Sequence, residues 1–195
     1  MQCKNISRDN KRRYRLEANE RCVFLMLNRS GTITFELAGT GAEAYIFAFF
    51  QGQATDTFAL TINQKHLAPH TVSHTLIKST LADASALTYN GLIHIQENAI
   101  HSDASQESRA MLLSPDAKIS VEPTLEILAN DVLCRHAATT APLNQASLFF
   151  AESRGLTKQQ AQTLLIDGFF HEALEKIERL GADASALHTT LTMKH

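Results

Sequence analysis

The sequence predicts a mainly β protein, a solenoid or β-helix followed by a small C-terminal α-helical subdomain. Three observations point there. Many short segments rich in Thr, Ile, Val and Phe alternate between apolar and polar residues. Only one strong reversal dipeptide, Asn90-Gly91, occurs among them. After Pro142 the apolar period changes from two to 3.6. Short strands with few tight reversals disfavour a meander and favour strands wound in one sense, although on these grounds alone a jelly roll or sandwich stays open.

Taken in order, residues 1–20 form a basic N-terminal segment, with Lys4, Arg8, Lys11, Arg12, Arg13 and Arg15 broken only by Asp9. Such a segment is a solvated tail, a phosphate- or partner-binding arm, or a blunt cap on the first coil. Residues 21–141 are the β core. The apolar run Cys22–Leu27 opens it, followed by Gly31–Leu37, Asp56–Ile62, Val72–Ile77, Gly91–Ile95 and Ala117–Val121. Pro123–Thr139 also reads as β, and a strand there turns Cys134 and His136 to one face. Residues 142–195 are helical. Asn144 is a suitable N-cap and Gly155 a suitable C′ residue for a first helix. Thr157 and Gln160 form a capping box for a second, which Gly181 stops. One stripe on that helix runs Ala161, Leu164, Leu165, Phe169, Ala173, Ile177 and Leu180; another runs Ile166, Phe170 and Leu174. Two stripes fit either internal packing or a face offered to a partner.

The 195 residues suffice for one domain with a small appendage. A net charge of −2 argues against a whole-protein nucleic-acid footprint. Three scattered cysteines, Cys3, Cys22 and Cys134, suit reduced thiols in a cytosolic compartment. The run from Cys22 to Leu27 is too short for a secretory core or a membrane span. A cytoplasmic protein with no membrane or nucleic-acid partner is expected.

Several motifs fail on their context. Gly39-Thr-Gly41-Ala-Glu-Ala44 has the dinucleotide-fingerprint spacing, yet Tyr45–Phe50 reads as a strand, leaving no helix N-terminus for a pyrophosphate. No P-loop and no G-x-S-x-G elbow occurs. His66, His70 and His74 would line one face of a helix as metal ligands, but Pro69, Thr71 and Val72 oppose a helix there. On a strand His70 and His74 still share parity, with a structural or solvated role the commoner outcome. Paired carboxylates for glycoside hydrolysis remain a weaker enzyme reading, since β-helices also cleave polysaccharides; the chain has no tryptophan platform. For Cys134 and His136 the residues leave two readings open. One is a packed thiol beside Val132 with a satisfied imidazole, the other half of a metal or cluster site. Iron–sulfur clusters want several thiolate ligands, so such a site would need a second chain.

An ordered series of short motifs resembles the SufB/SufD family of the SUF iron–sulfur cluster assembly system. It runs through Leu37–Ala44, His66-x-x-Pro69-x-Thr71-x-Ser73, Lys78, Leu81-x-Asp83-x-Ser85, Gly91-x-Ile93-x-Ile95 and Ser102-Asp-Ala104-x-Gln106. It continues with Leu112–Ser114, Pro123-x-Leu-Glu-Ile127-x-Ala129-x-Asp-Val132-x-Cys134-x-His136, and Leu148-Phe149 to Arg154-Gly155. The Ala-x-Asp-Val-x-Cys-x-His form is more similar to SufD than to SufB. Ala137 and Ser79 stand where the family usually has glycine, and members are commonly longer, lacking here an N-terminal helical region and the early rungs.

The resemblance implies a right-handed parallel β-helix with a C-terminal helical domain, and a non-catalytic scaffold subunit. It implies pairing with a SufB-like chain, or an identical one, through the last rungs, and docking of a SufC-type ATPase on the helices at 144–153 and 157–180. It places His136, its strand neighbour Cys134 and the acidic Glu126 at the cluster-assembly interface, where His136 and Cys134 are the candidate metal ligands. It assigns Leu148, Phe149, Leu164, Leu165, Phe169 and Phe170 to ATPase docking. No cofactor is expected to be permanently bound; a cluster would be transient and shared with the partner chain. The alternative is a truncated SufD paralogue that self-associates and binds the ATPase without assembling clusters.

Overall fold

A computed structural model describes residues 1–192. Its strands in chain order are β1 (Gln2–Asn5), β2 (Arg13–Leu16), β3 (Arg21–Leu27), β4 (Gly31–Leu37), β5 (Glu43–Gly52) and β6 (Thr57–His66). They continue with β7 (Val72–Leu81), β8 (Ala86–Ile95), β9 (Asp103–Leu112), β10 (Lys118–Ile127) and β11 (Leu133–Pro142). Odd-numbered strands form one sheet in the order β1-β3-β5-β7-β9-β11, and even-numbered strands the other, β2-β4-β6-β8-β10. Every pairing is parallel. The chain therefore gives one strand to each sheet per coil. Register passes from Glu43 to Val72, Asp103 and Leu133, so a coil takes about 30 residues. This is a parallel β-helix, and the sandwich and jelly-roll alternatives are excluded because those sheets are antiparallel.

Alternate residues point into the space between the sheets. In the early coils this space is aromatic: Tyr14, Phe24 and Phe35 pack with ring centroids 4.8 to 5.5 Å apart, and Phe50 meets Phe58 at 5.2 Å. Between the end of β6 and the first halves of β7 and β9 it is polar. His66 bridges the hydroxyls of Thr71 and Ser73, both at 2.7 Å. Gln64 donates to Ser73 Oγ at 2.6 Å, and Gln106 donates to Gln64 Oε1 at 2.6 Å. The buried imidazole of His66 is pushed down to about 4, chiefly by desolvation.

Corners repeat as faithfully as strands. Asn19, Gly41, His70, His101 and Asp131 each sit two residues before an odd strand with positive φ. Backbone bonds link successive corners, His70 N–H to the Ile100 carbonyl and His101 N–H to the Asp131 carbonyl. The His70 and His101 rings stack at 4.9 Å, and His101 Nδ1 lies 2.9 Å from Asp131 Oδ2. Asn90-Gly91, the reversal signal, lies inside β8. Glycine is needed there because a Cβ would overlap Gln106 Oε1 and crowd the Tyr89 hydroxyl. The segment 123–139, read as one β stretch, is two strands separated by the Asp131 corner.

Residues 1–20 supply β1 and β2, the edge strands of both sheets. The helices are α1 (Gln145–Ser153), α2 (Lys158–Arg179) and α3 (Ser185–Thr192). Asn144 caps α1, and the capping box of Thr157 and Gln160 opens α2. The helical part packs on the outer face of the odd-strand sheet. Ile166, Phe170, Ala173, Leu174 and Ile177 of α2 meet Val23, Leu25, Phe47, Phe49 and Leu76. Lys78 in β7, 1% exposed, locks this contact: Nζ donates to the Phe169 carbonyl and to Glu172 Oε2 at 2.7 Å, and sits over the Phe169 ring. Arg109 Nη1 reaches the same carboxylate oxygen at 2.7 Å. Lys78 first, and then Lys176 at 3.0 Å from Glu172 Oε1, pull the Glu172 carboxyl down to about 2, against the desolvation that opposes them.

Candidate functional site

The last coil is open. β10 is hydrogen-bonded to β8 and β11 to β9, and among the described residues neither has a strand on its other side. Its inward positions extend the core but lack a lid. In β10 these are Ile119, Val121, Pro123, Leu125 and Ile127, in register with the buried Leu87, Tyr89, Gly91, Ile93 and Ile95. In β11 they are Cys134, His136, Ala138 and Thr140, over Ala104, Gln106, Ser108 and Ala110. Leu128 and Leu133, flanking the corner, are 62% and 63% exposed. Ten-residue strands with unpaired backbone groups and apolar residues invite pairing with another chain.

The structure brings Cys134 and His136 together, as the strand period predicts. Both lie on the inward face of β11, with His136 in register with Gln106 and so with the polar interior. Cys134 packs partly against Ile93, Ile95, Ala99, Ala104 and Ala129. Its thiol is pushed up by burial and, secondarily, by the Asp103 carboxylate, so it is protonated at neutral pH. Cys22, wholly buried, is pushed up to about 11 for the same primary reason. Glu126 is not with them. It stands on the opposite sheet and points outward, 3.0 Å from His94 Nδ1. Among the described residues no three His, Cys, Asp or Glu side chains gather in metal-binding geometry. The two donors of β11 can hold a soft metal only jointly with ligands from elsewhere.

The three central histidines separate. His66 belongs to the interior, His70 to the corner column, and His74 bonds Ser105 Oγ at 2.6 Å on the outer face. The shared parity of His70 and His74 fails because His70 sits in the left-handed region before β7 begins. The fingerprint Gly39-Thr-Gly41 leads into β5, not a helix, as expected.

Of the residues assigned to ATPase docking, Leu148 and Phe170 are core, Leu165 and Phe169 half-buried, and Phe149 and Leu164 exposed. Phe149 is 72% exposed. Its neighbour Phe150, 61% exposed and stacked under the Arg154 guanidinium at 5.1 Å, lies outside the set that the resemblance assigns to docking. The adjacent pair in Leu148-Phe149-Phe150 was the available signal, since one helix face cannot bury all three.

Residues 17–169 match the family described as the SufBD core domain of the SUF system for FeS cluster assembly. The chain belongs to the SufBD core family. It is 32% identical over 115 residues to the iron–sulfur cluster assembly protein SufD of Escherichia coli, covering 59% of this chain and 27% of that one. A SufBD family protein of Synechocystis is 34% identical over 125 residues, 64% of this chain and 27% of the relative. Bacillus subtilis SufD is 28% identical over 139 residues, 71% and 31%. The matched SufBD segment thus spans under a third of these relatives' length. No helix among the described residues is long and apolar enough to cross a membrane.

Proposed function

We propose that this chain is a SufD-like scaffold subunit in iron–sulfur cluster assembly. It pairs through its last coil with a SufB-like or identical chain, docks a SufC-type ATPase on its helices, and carries out no catalysis of its own. The observation that carries this reading is the open coil of β10 and β11, with unpaired edges, apolar residues left exposed and Cys134 with His136 on its inward face. Family membership supplies the system. A partner's strands laid on that coil would complete the ladder and bring further ligands to His136, the residue best placed to meet a cluster passing through as cargo. Glu126 on the outer face would act by contact with the partner rather than as a ligand.

Co-purification tests the docking part. Phe149→Asp and Leu164→Asp are the informative changes because both side chains are exposed, whereas Phe170→Asp would damage the core. Wild-type chain should retain the ATPase and each variant should release it; no association of wild type would overturn docking. His136→Ala then separates the two assembly readings. Lost cluster delivery with the ATPase still bound supports a role in assembly. Unchanged delivery favours a paralogue that binds partners without assembling clusters, which the protonated Cys134 thiol also accommodates.

A further inference from the structure

The basic residues of the N-terminal segment divide sharply by partner. Lys4 Nζ lies 3.9 Å from Glu20, Arg13 and Arg15 reach Glu36 at 3.5 and 3.8 Å, and Lys11 Nζ rests 5.3 Å over the Tyr14 ring. Arg8 and Arg12 are different: among the described residues no carboxylate lies within 4.0 Å of either guanidinium. Both line a polar cavity of about 260 Å³ between the N-terminal segment and the corner joining β3 to β4. Arg29, from that corner, forms its inner wall.

Arg29 is only 8% exposed, yet it too has no carboxylate within ion-pair distance. Its Nη1 donates to the Ile6 carbonyl and Nη2 to the Lys11 carbonyl, both at 2.6 Å. Those carbonyls fix the guanidinium without cancelling its charge. Asp9 is the acid in the lining, and it meets Arg29 only through the Tyr14 hydroxyl, which Arg29 Nη1 reaches at 3.4 Å. Oδ2 accepts from the Tyr14 hydroxyl at 2.6 Å and Oδ1 from the Lys11 N–H at 2.8 Å. Three arginines against one aspartate leave the lining with an excess of two positive charges. A buried cation held by neutral groups is costly unless an anion answers it.

We propose that this cavity binds a phosphate group, either inorganic phosphate or the terminal phosphate of a small phosphorylated molecule. A dianion matches the excess charge, and forked guanidinium donors match tetrahedral oxyanions better than a single carboxylate. Asn28 and Ser30 add neutral polar groups to the same wall. The site lies at the opposite end of the solenoid from β10 and β11, so it stands or falls independently of the pairing surface.

Calorimetric titration of the full chain with inorganic phosphate, and separately with methyl phosphate, at ionic strength held constant with chloride, tests it. Saturable one-to-one binding of either probe is expected; binding of both admits phosphate esters, and binding of inorganic phosphate alone restricts the site to the free ion. Arg8→Ala and Arg12→Ala should each weaken binding by about tenfold or more, the scale of a lost charge-assisted hydrogen bond. Arg13→Ala, on the same segment but paired with Glu36, should leave affinity within about twofold, as expected of a screened surface charge. Arg29→Met should abolish binding, and if that variant unfolds, the exposed Arg8 and Arg12 still decide. Absence of saturable binding, or an equal loss in Arg13→Ala, would overturn the proposal.

Discussion

The two ends of the solenoid are finished differently. At the start, β1 and β2 have four residues each, carry Lys4, Arg13 and Arg15 in ion pairs, and shelter an aromatic cluster of Tyr14, Phe24 and Phe35. Short, charged edge strands discourage further pairing. At the finish, β10 and β11 run for ten residues each, and Leu125, Ile127 and Leu133 in them and Leu128 at the corner between are exposed. Equal packing rules thus yield one end with short, charged edge strands and one with long, apolar, exposed ones. Stability should concentrate at the first end and association at the second.

Breaking the closed end should cost most. Phe24→Ala removes one of the three mutually packed rings of the aromatic cluster, and about 3–5 kcal/mol of unfolding free energy should be lost in urea titration. The polar interior between the two ends gives the next effect. In the folded chain His66 is held near 4, below its unfolded value, so the unfolded state binds more protons between those values. The stability His66 contributes is therefore complete above about pH 6.5 and lost as pH falls toward 4, by about 3 kcal/mol. His66→Gln should flatten that part of the profile. Thr157→Ala, which removes the α2 cap just beyond the last coil, should cost about 1 kcal/mol. Smallest of all, Leu128→Glu with Leu133→Glu should change the stability of the isolated, dilute chain by no more than about 0.5 kcal/mol. A loss there as large as that of Phe24→Ala would erase the contrast.

Legibility in the sequence follows the same division. Strands β3 to β6 announce themselves because their inward residues are apolar, as in Ile33, Phe35 and Leu37. β9 is legible only through its motif resemblance, because its inward Gln106 and Ser108 erase the two-residue hydrophobic period, while in β7 the charged Lys78 is buried on the outward face beneath α2. The corners were hidden because His70, His101 and Asp131 occupy conformations that turn chemistry assigns first to glycine and asparagine. β1 and β2 show in the sequence only as a charged segment, because four-residue edge strands are too short to show a period. Of the site, the shared face of Cys134 and His136 was readable from parity alone. The placement of Glu126 on the other sheet was not, since it depends on the corner at Asp131 dividing one apparent β stretch into two.

Hydrogen exchange read by mass spectrometry, on the chain alone and mixed with a SufB-like partner or concentrated with itself, compares the two ends in one experiment. The amides of Lys118–Ile127 and Leu133–Pro142 should become protected in the mixture while those of Gln2–Leu16 stay unchanged. Protection at Gln2–Leu16 with none in the last coil would contradict the assignment of β10 and β11 as the pairing surface.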